Sequence, residues 1–373
     1  MSPESVTPRR GEAGDVDAIV DLLVHYDPRR SHLEALYHGD PCYEPSQSWV
    51  MKVDHRLVAH VRVFPRTLRL GPADLPVAAL GDAITSAPWR GHGHMEHLLE
   101  TVLSSLETEQ YAFAMAWPPT VGAGGGHGFD PLMLETTSAT VPAEPASGIA
   151  CFRDDDLPEL EAFACRGDVA LPGTTVRSLG YWRCQLNWLE EDRRGFLVAR
   201  TGDGEIGGYV RSRRRPDHVE ILELTVPHGD RGTARALLGE VARPYDGALT
   251  GHLPHSYRVL LEPDCRPRVE TGPGPVLRVL NPAALRDVLA RLAAARPPAR
   301  DFDIAVDAPR GPAFNIGPDG VRPAPSGAAR EEFRHSPAEL VRLLLGGAAP
   351  QAPEELRLLF PAQDWVLWEA DRT

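Results

Sequence analysis

The sequence lacks a cysteine framework. Its cysteines, Cys42, Cys151, Cys165, Cys184 and Cys265, are widely separated and form no C-x-x-C pair. An odd, dispersed set fits reduced core thiols better than a disulfide framework or a zinc site. Long apolar runs are missing too, and no window approaches the roughly 18 uninterrupted apolar residues of a membrane-spanning helix. The opening segment MSPESVTPRRGEAGDVD carries no apolar signal core, so a cytoplasmic protein is expected. Positive charge is scarce: 39 Lys and Arg face 52 Asp and Glu, a formal net charge of −13. A chain short of cations is poorly suited to phosphate backbones or anionic membrane surfaces, so neither nucleic acid nor a membrane is expected as partner. The same balance suits a cationic or amine-bearing partner, and equally plain solubility. The sequence also shows no nucleophile elbow, no metal-ligand cluster and no dinucleotide glycine fingerprint, so no metal is expected.

What is present is ample core and abundant punctuation. Apolar residues make up 42% of the 373, and 34 Gly and 36 Pro are scattered between periodic segments, where they read as turns. The length suggests two or three domains. The first 142 residues alternate helix and strand patterns. A short strand over Val6–Arg10 precedes a helix opened by Asp15 as its capping residue. Strands follow at Ser48–Val53, Leu57–Phe64, Arg66–Leu70 and Val77–Ser86. Met95, Leu98, Leu99, Val102, Leu103 and Leu106 then mark one face of a strong helix, and Tyr111–Trp117 reads as a buried strand.

After the linker-like VPAEPASG, residues 149–272 repeat this order of hairpin, long strand, loop and helix, which points to an internal duplication by pattern and not by identity. Residues 275–373 supply a strand and helix (VLRVLNPAALRDVLARL), hairpin strands about a Pro-Asp-Gly turn, and a helix with Ser336 and Glu339 as a capping box. Two tryptophans near the end, Trp365 and Trp368, imply a docked terminus. The fold class expected is α/β of the α+β kind. The basic run Arg211–Arg215 reads as a solvated hairpin end.

The sharpest chemical signal is Ile84-Thr85-Ser86-Ala87-Pro88-Trp89-Arg90-Gly91-His92-Gly93-His94-Met95, between a strand and the strong helix. A helix N-terminus offers backbone N–H groups without intrahelical partners and a partial positive charge. Gly91 and Gly93 let a backbone approach an anion closely, and Arg90 adds a fixed cation. The same residues also describe an ordinary strand-to-helix turn.

Arg90-Gly91-His92-Gly93-His94-Met95 resembles the donor loop of the GNAT acetyltransferase superfamily, Arg/Gln-x-x-Gly-x-Gly/Ala, matching at the first and fourth positions and departing at Met95. The ordering of residues 5–140, with Gly128-Phe129 after the buried strand, is similar as well. The weakened second loop VPHGDRGTARALL, the VLRVLNPAALRDVLARL segment and the ending LFPAQDWVLWEADRT resemble the tandem-GNAT branch of Eis-type acetyltransferases. That resemblance implies two GNAT folds with mixed, largely antiparallel sheets, the second degenerate, plus a small sterol-carrier-protein-like C-terminal domain and a homo-oligomer.

The implied reaction is acyl transfer from acetyl-CoA or another acyl-CoA to an amine of a small polyamine-like or amino-sugar molecule. By resemblance, backbone groups of Ile84, Thr85 and Ser86 pair with the pantetheine arm, and Arg90, Gly91, His92, Gly93, His94 and Met95 hold the pyrophosphate. The chain departs from the family where a Tyr acid is usual: Gly124 stands there, within a glycine-rich stretch. Candidate substitutes are His127, an imidazole near the expected reaction centre, Asp82 on the central strand, and Thr373, by resemblance to Eis-type enzymes, in which the chain's terminal carboxylate acts as base. Glu369 and Asp371 lie on the same tail, and Trp49, Trp117 and Phe64 are candidate pocket aromatics or plain core. Two alternatives stay open: a thioester on an acyl carrier protein, as in natural-product biosynthesis, and a non-catalytic binding protein on a decayed scaffold.

Overall fold

The computed structural model describes residues 7–118, 126–142, 148–166, 170–188, 194–262, 264–308, 311–324 and 332–368. The chain packs as two compact units, Met1–Leu132 with Gly274–Gln363, and Met133–Pro273 with the segment beginning at Asp364.

The first segment of unit one begins with β1 (Arg9–Arg10), a 3-10 turn (Ala13–Asp15), α1 (Val16–Val24) and α2 (Arg30–Tyr37). An antiparallel meander follows, β2 (Ser48–Val53), β3 (Arg56–Arg69) and β4 (Asp74–Thr85), then α3 (His94–Leu106) and β5 (Phe113–Ala116) parallel to β4. The expected strands Leu57–Phe64 and Arg66–Leu70 are one 14-residue strand, β3. Pro65 does not break it, because β2 accompanies β3 only as far as Arg62 and a missing N–H is tolerated along an edge. Helix α2 has no counterpart in the sequence reading; its only buried residues are Leu33 and Tyr37, too few to show a period.

Unit two takes in most of β6 (Asp130–Thr140), then β7 (Ile149–Cys151), a 3-10 turn (Asp154–Asp156), α4 (Leu157–Ala164), α5 (Leu179–Trp188), β8 (Phe196–Arg200), β9 (Ile206–Arg214), β10 (Val219–Thr225), α6 (Arg231–Ala242), β11 (Ala248–Gly251) and α7 (His255–Leu261). From β7 to β11 this repeats the order of helices and strands in the first segment, including the parallel step from β10 to β11 across a helix. Strand β6 runs antiparallel to β11, pairing Thr137–Thr140 with Ala248–Gly251. The chain near its end packs into this unit: Trp368 is buried and stacks 6.4 Å from Tyr257, and Val366 N–H donates to the Pro172 carbonyl.

The return to unit one supplies β12 (Arg268–Val279), whose Val276–Val279 run antiparallel to β5, and α8 (Pro282–Ala295). A small four-stranded sheet follows, β13 (Phe302–Val306), β14 (Ala313–Gly317), β15 (Gly320–Pro323) and β16 (Glu332–His335), then α9 (Pro337–Gly346) and α10 (Glu354–Leu359). Ser336 and Glu339 form the expected capping box at α9. The architecture is mixed α/β with mostly antiparallel sheets.

Asp15 does not cap α1 with its side chain as expected. Its carboxylate turns back to accept from Glu12 N–H (2.9 Å), with Arg9 at 2.8 and 3.0 Å and Lys52 at 2.6 Å. Asp156 does the same to Arg153 N–H (2.8 Å), with Arg200 at 2.6 Å, at the matching turn of unit two. Burial alone would push Asp15's carboxyl up, but the bonds from Arg9, Lys52 and Glu12 outweigh it and hold the group well below the usual carboxylate range. A carboxyl depressed in the folded state stabilises above its unfolded pKa, near 4, and loses that contribution as pH falls through the folded value. We expect Asp15→Ala to cost about 1–3 kcal/mol at neutral pH. Below pH 4 the difference from the parent shrinks, as urea unfolding across pH 7 to 3 would show.

A candidate acyl-donor and amine site in the first unit

Strand β4 is paired on both sides only through Leu80. Val77–Leu80 lie beside Phe113–Ala116 of β5, while pairing with β3 continues to Thr85. Past Leu80 one edge of β4 is therefore free of β5, and its backbone groups there are available to a ligand. The register with β3 slips between His60 and Arg62, leaving a bulge at Asp82, which sits at φ +50°. A non-glycine residue at positive φ inside a strand is strained and persists only where its surroundings impose it.

Beyond the free edge, Ser86 N–H donates to Val58 O of β3 (2.8 Å), so the Thr85 carbonyl of the same peptide projects the opposite way. It accepts from the Tyr26 hydroxyl (2.8 Å) and from Arg90 Nε (3.3 Å), and the Arg90 guanidinium lies 4.8 Å over the Tyr26 ring. Residues 87–89 make one 3-10 turn, and Arg90 is exposed and extended. Gly91 and Gly93 both sit at φ +76°, where a Cβ would meet nothing within 4 Å; the dihedral, not crowding, requires glycine.

The first hydrogen bond of α3 runs from His97 N–H to Gly93 O (3.0 Å), and no side chain caps the helix. The N–H groups of His94, Met95 and Glu96 thus lie ahead of the helical ladder. His92 and His94 stack at 6.0 Å beside Trp89, and Met95 packs against the core under α3. An open, glycine-lined turn with uncapped N–H groups and an adjacent Arg fits a pyrophosphate, and the free β4 edge ahead of it fits an amide-bearing arm.

Asp82 is half-buried and held from behind. Tyr37 of α2 donates its hydroxyl to Asp82 Oδ2 at 2.6 Å. Burial, and then the Asp82 charge, push the Tyr37 phenol far above its ordinary range, so it stays protonated. His60 Nδ1 lies 3.0 Å from the Asp82 carbonyl, and His60 Nε2 lies 3.0 Å from Ser48 Oγ, which is 2.9 Å from the Tyr43 hydroxyl.

Burial lowers the His60 imidazole to about 4, against the opposing pull of Asp82, so the ring is neutral at pH 7. A carbonyl only accepts, so Nδ1 carries the proton, Nε2 accepts from Ser48, and Ser48 accepts from Tyr43. A base depressed in the folded state costs stability as pH falls from about 6.5 toward 4, where the unfolded state binds the extra proton. We expect the parent to lose about 3 kcal/mol over that window through this group, and His60→Gln to flatten that part of its urea-midpoint profile.

His127 stands in a short turn at φ +58°, half-buried, its carbonyl accepting from Arg278 Nη1 at 2.7 Å. Gly124, Glu369, Asp371 and Thr373 lie outside the described residues. Trp49 and Phe64 are core: Trp49 packs beneath α3, and Phe64 lies under the Arg62 guanidinium at 4.2 Å. Trp117 is buried as well.

Arg211 corrects the expectation of a solvated basic run. It is buried in unit two and bonds Gln185 (2.6 Å) and Glu223 (3.2 Å), while Arg213 and Arg215 reach Glu220 at the surface. It lies on β9 opposite Glu223 of β10, whose carboxylate offsets the cost of burying the cation. Tyr26, Tyr37 and His60 escaped the sequence reading. The one available signal was the pair His60 and Arg62 inside the apolar strand LVAHVRVF, where a polar face reads as solvent-facing.

Residues 7–131 match the family model described as "Acetyltransferase (GNAT) domain". No curated protein matches the chain by sequence. Among solved structures, the chain is similar to a conserved protein of Enterococcus faecalis V583 described as "Probable N-Acyltransferase", at 14% identity and TM-score 0.70, covering 92% of this chain and 91% of that one. It is similar to Eis1 from Mycobacterium abscessus at 16% identity and TM-score 0.66, covering 98% and 100%. A GCN5-related N-acetyltransferase from Kribbella flavida gives 16% identity and TM-score 0.65 over 96% of each chain. Among the described residues no helix is long and apolar enough to cross a membrane. Residues 7–131 thus carry an acetyltransferase domain of the GNAT type, and the chain as a whole has a fold similar to that of Eis1.

Proposed function

We propose that this protein transfers an acyl group, acetyl in the simplest case, from an acyl-CoA to a primary amine of a small cationic molecule. The observation that carries the reading is the free β4 edge running into an uncapped, glycine-lined helix start beside Arg90. The donor supplies an acyl thioester: the amine nitrogen bonds to its carbonyl carbon, the C–S bond breaks, and the departing thiolate takes up one proton. Ile84, Thr85 and Ser86 would hold the pantetheine arm by their backbone, and Arg90 with the N–H groups of residues 93–95 the pyrophosphate.

Asp82 is the base nearest that edge. Its carboxylate attracts the ammonium form of the acceptor and takes the proton that must leave before nitrogen can attack. The net charge of −13 favours encounter with such a cation. His127 and Thr373 are the further candidates for proton transfer, and we infer that residues 149–272 and 275–373 form a degenerate second GNAT fold and a sterol-carrier-like part that shape the assembly.

The test is thiol release from acetyl-CoA over a panel of amines including spermidine and glucosamine, with mass spectrometry of the acylated product. Turnover above background supports the reading and excludes a binding-only protein. Silence with every CoA thioester, together with no CoA binding by calorimetry, overturns it; consumption of a loaded acyl carrier protein in that case would move the donor to the carrier.

A further inference from the structure

The strongest unexplained feature of the first unit is how much buried polar structure converges on one residue. Tyr37 is 3% exposed and His60 and Ser48 are fully buried, and they come from α2, β3 and β2. Burying three polar side chains is unfavourable unless each is satisfied. Here each is satisfied by a chain that ends on Asp82, at its carboxylate through Tyr37 and at its carbonyl through His60. The Tyr37 ring is fixed in turn by edge-on packing with Tyr43 (5.0 Å) and His60 (5.9 Å), and by the Arg62 guanidinium 5.1 Å away. Arg62 spends its own hydrogen bonds elsewhere, on Asp40 Oδ2 (3.2 Å) and Leu36 O (3.1 Å).

Asp82 is therefore gripped at two points on a strained bulge. Among the described residues its Oδ1 has no hydrogen-bond partner, while Oδ2 is tied down. An ordinary strand carboxylate at a solvent edge needs none of this.

Resting on the acyltransferase reading above, we propose that Tyr37 is a positioning residue, holding the Asp82 carboxylate so that Oδ1 faces the acceptor ammonium, with the Tyr43–Ser48–His60 chain fixing the bulge. The proton taken from the ammonium goes to Oδ1 and from there to solvent; Tyr37 keeps its own proton throughout. The acceptor class follows: an amine that is protonated in solution and approaches a single directional oxygen.

The test is steady-state kinetics of the full chain with acetyl-CoA and spermidine. Tyr37→Phe keeps the ring packing and deletes one oxygen. It is expected to lower kcat/KM for spermidine about tenfold while the acetyl-CoA dissociation constant stays within twofold of the parent. On an Asp82→Asn background the same change is expected to do nothing further, because the group it positions is gone. Ser48→Ala removes the oxygen that links Tyr43 to His60 and is expected to give a smaller loss with the same split, read at a temperature where its melting curve shows the variant folded.

Independent, multiplicative losses from Tyr37→Phe and Asp82→Asn would overturn the proposal. So would a Tyr37→Phe variant that melts earlier but turns over like the parent, or one that loses acetyl-CoA affinity instead. Were the parent itself neither to bind acetyl-CoA nor to consume it, the acyltransferase reading would fall, and the proposal with it. A parent that turns over with an unaffected Tyr37→Phe sinks the positioning role alone.

Discussion

Asp82→Asn is expected to reduce kcat for acetyl transfer by about 100-fold or more, leaving acetyl-CoA binding unchanged. A positioned general base contributes roughly two to four orders of magnitude, and an amide of the same shape accepts no proton. Asn also tolerates positive φ as well as Asp does, so the bulge at φ +50° survives the change. The Tyr37 hydroxyl at 2.6 Å can still donate to the amide oxygen. The variant therefore isolates the proton-accepting role from the architecture. Stopped-flow thiol release separates the chemical step from product release, and calorimetry with acetyl-CoA confirms an intact donor site. Activity within threefold of the parent would remove Asp82 from the mechanism and leave His127 and Thr373 as the groups to test.

Arg90→Ala is expected to weaken acetyl-CoA binding about 10- to 100-fold. The basis is the loss of one charge-assisted contact to a pyrophosphate, on the order of 1.5–3 kcal/mol. In the structure Arg90 lies over the Tyr26 ring with Nε toward the Thr85 carbonyl. The N–H groups at the start of α3 remain in the variant, so binding should weaken without vanishing. Raising the salt concentration should narrow the gap between parent and variant, since part of the lost contact is screened Coulomb attraction. An unchanged dissociation constant would show that Arg90 serves the loop and not the ligand.

Much of the fold was legible because local pattern and tertiary role agree. The stripe from Leu98 to Leu106 on α3 is the face that packs on Ala59, Val61 and Ala114. The Ser336–Glu339 box starts α9, and the repeated order of helices and strands in the second unit is visible as period alone. Legibility failed where one residue answers to two constraints. Strand β3 alternates Ala59, Val61, Val63 with His60, Arg62, Phe64, a pattern that reads as one buried face and one wet face. Both faces are buried: Tyr37 of α2 packs edge-on against the His60 ring and the Leu36 carbonyl accepts from Arg62, while the Asp82 carbonyl and Ser48 satisfy the two nitrogens of His60. Helix α2 is itself nearly silent in sequence, so nothing announced that cover.

The sequence by itself determined that the chain is acidic, without a disulfide framework, alternating in helix and strand, and equipped with one Arg- and Gly-bearing strand-to-helix turn. Those properties are local: charge is a sum over side chains, and the glycines at Gly91 and Gly93 meet a dihedral requirement of their own peptides. Only the tertiary structure shows how one candidate carboxylate is held. Asp82 is one of 52 acidic residues, and what sets it apart is a register slip between two strands and three polar side chains brought from 22 to 45 residues away. Likewise, β5 gains its second neighbour from Val276–Val279, far along the chain, because backbone groups at a sheet edge accept any strand that arrives in register. Spacing along a sequence carries no record of such meetings.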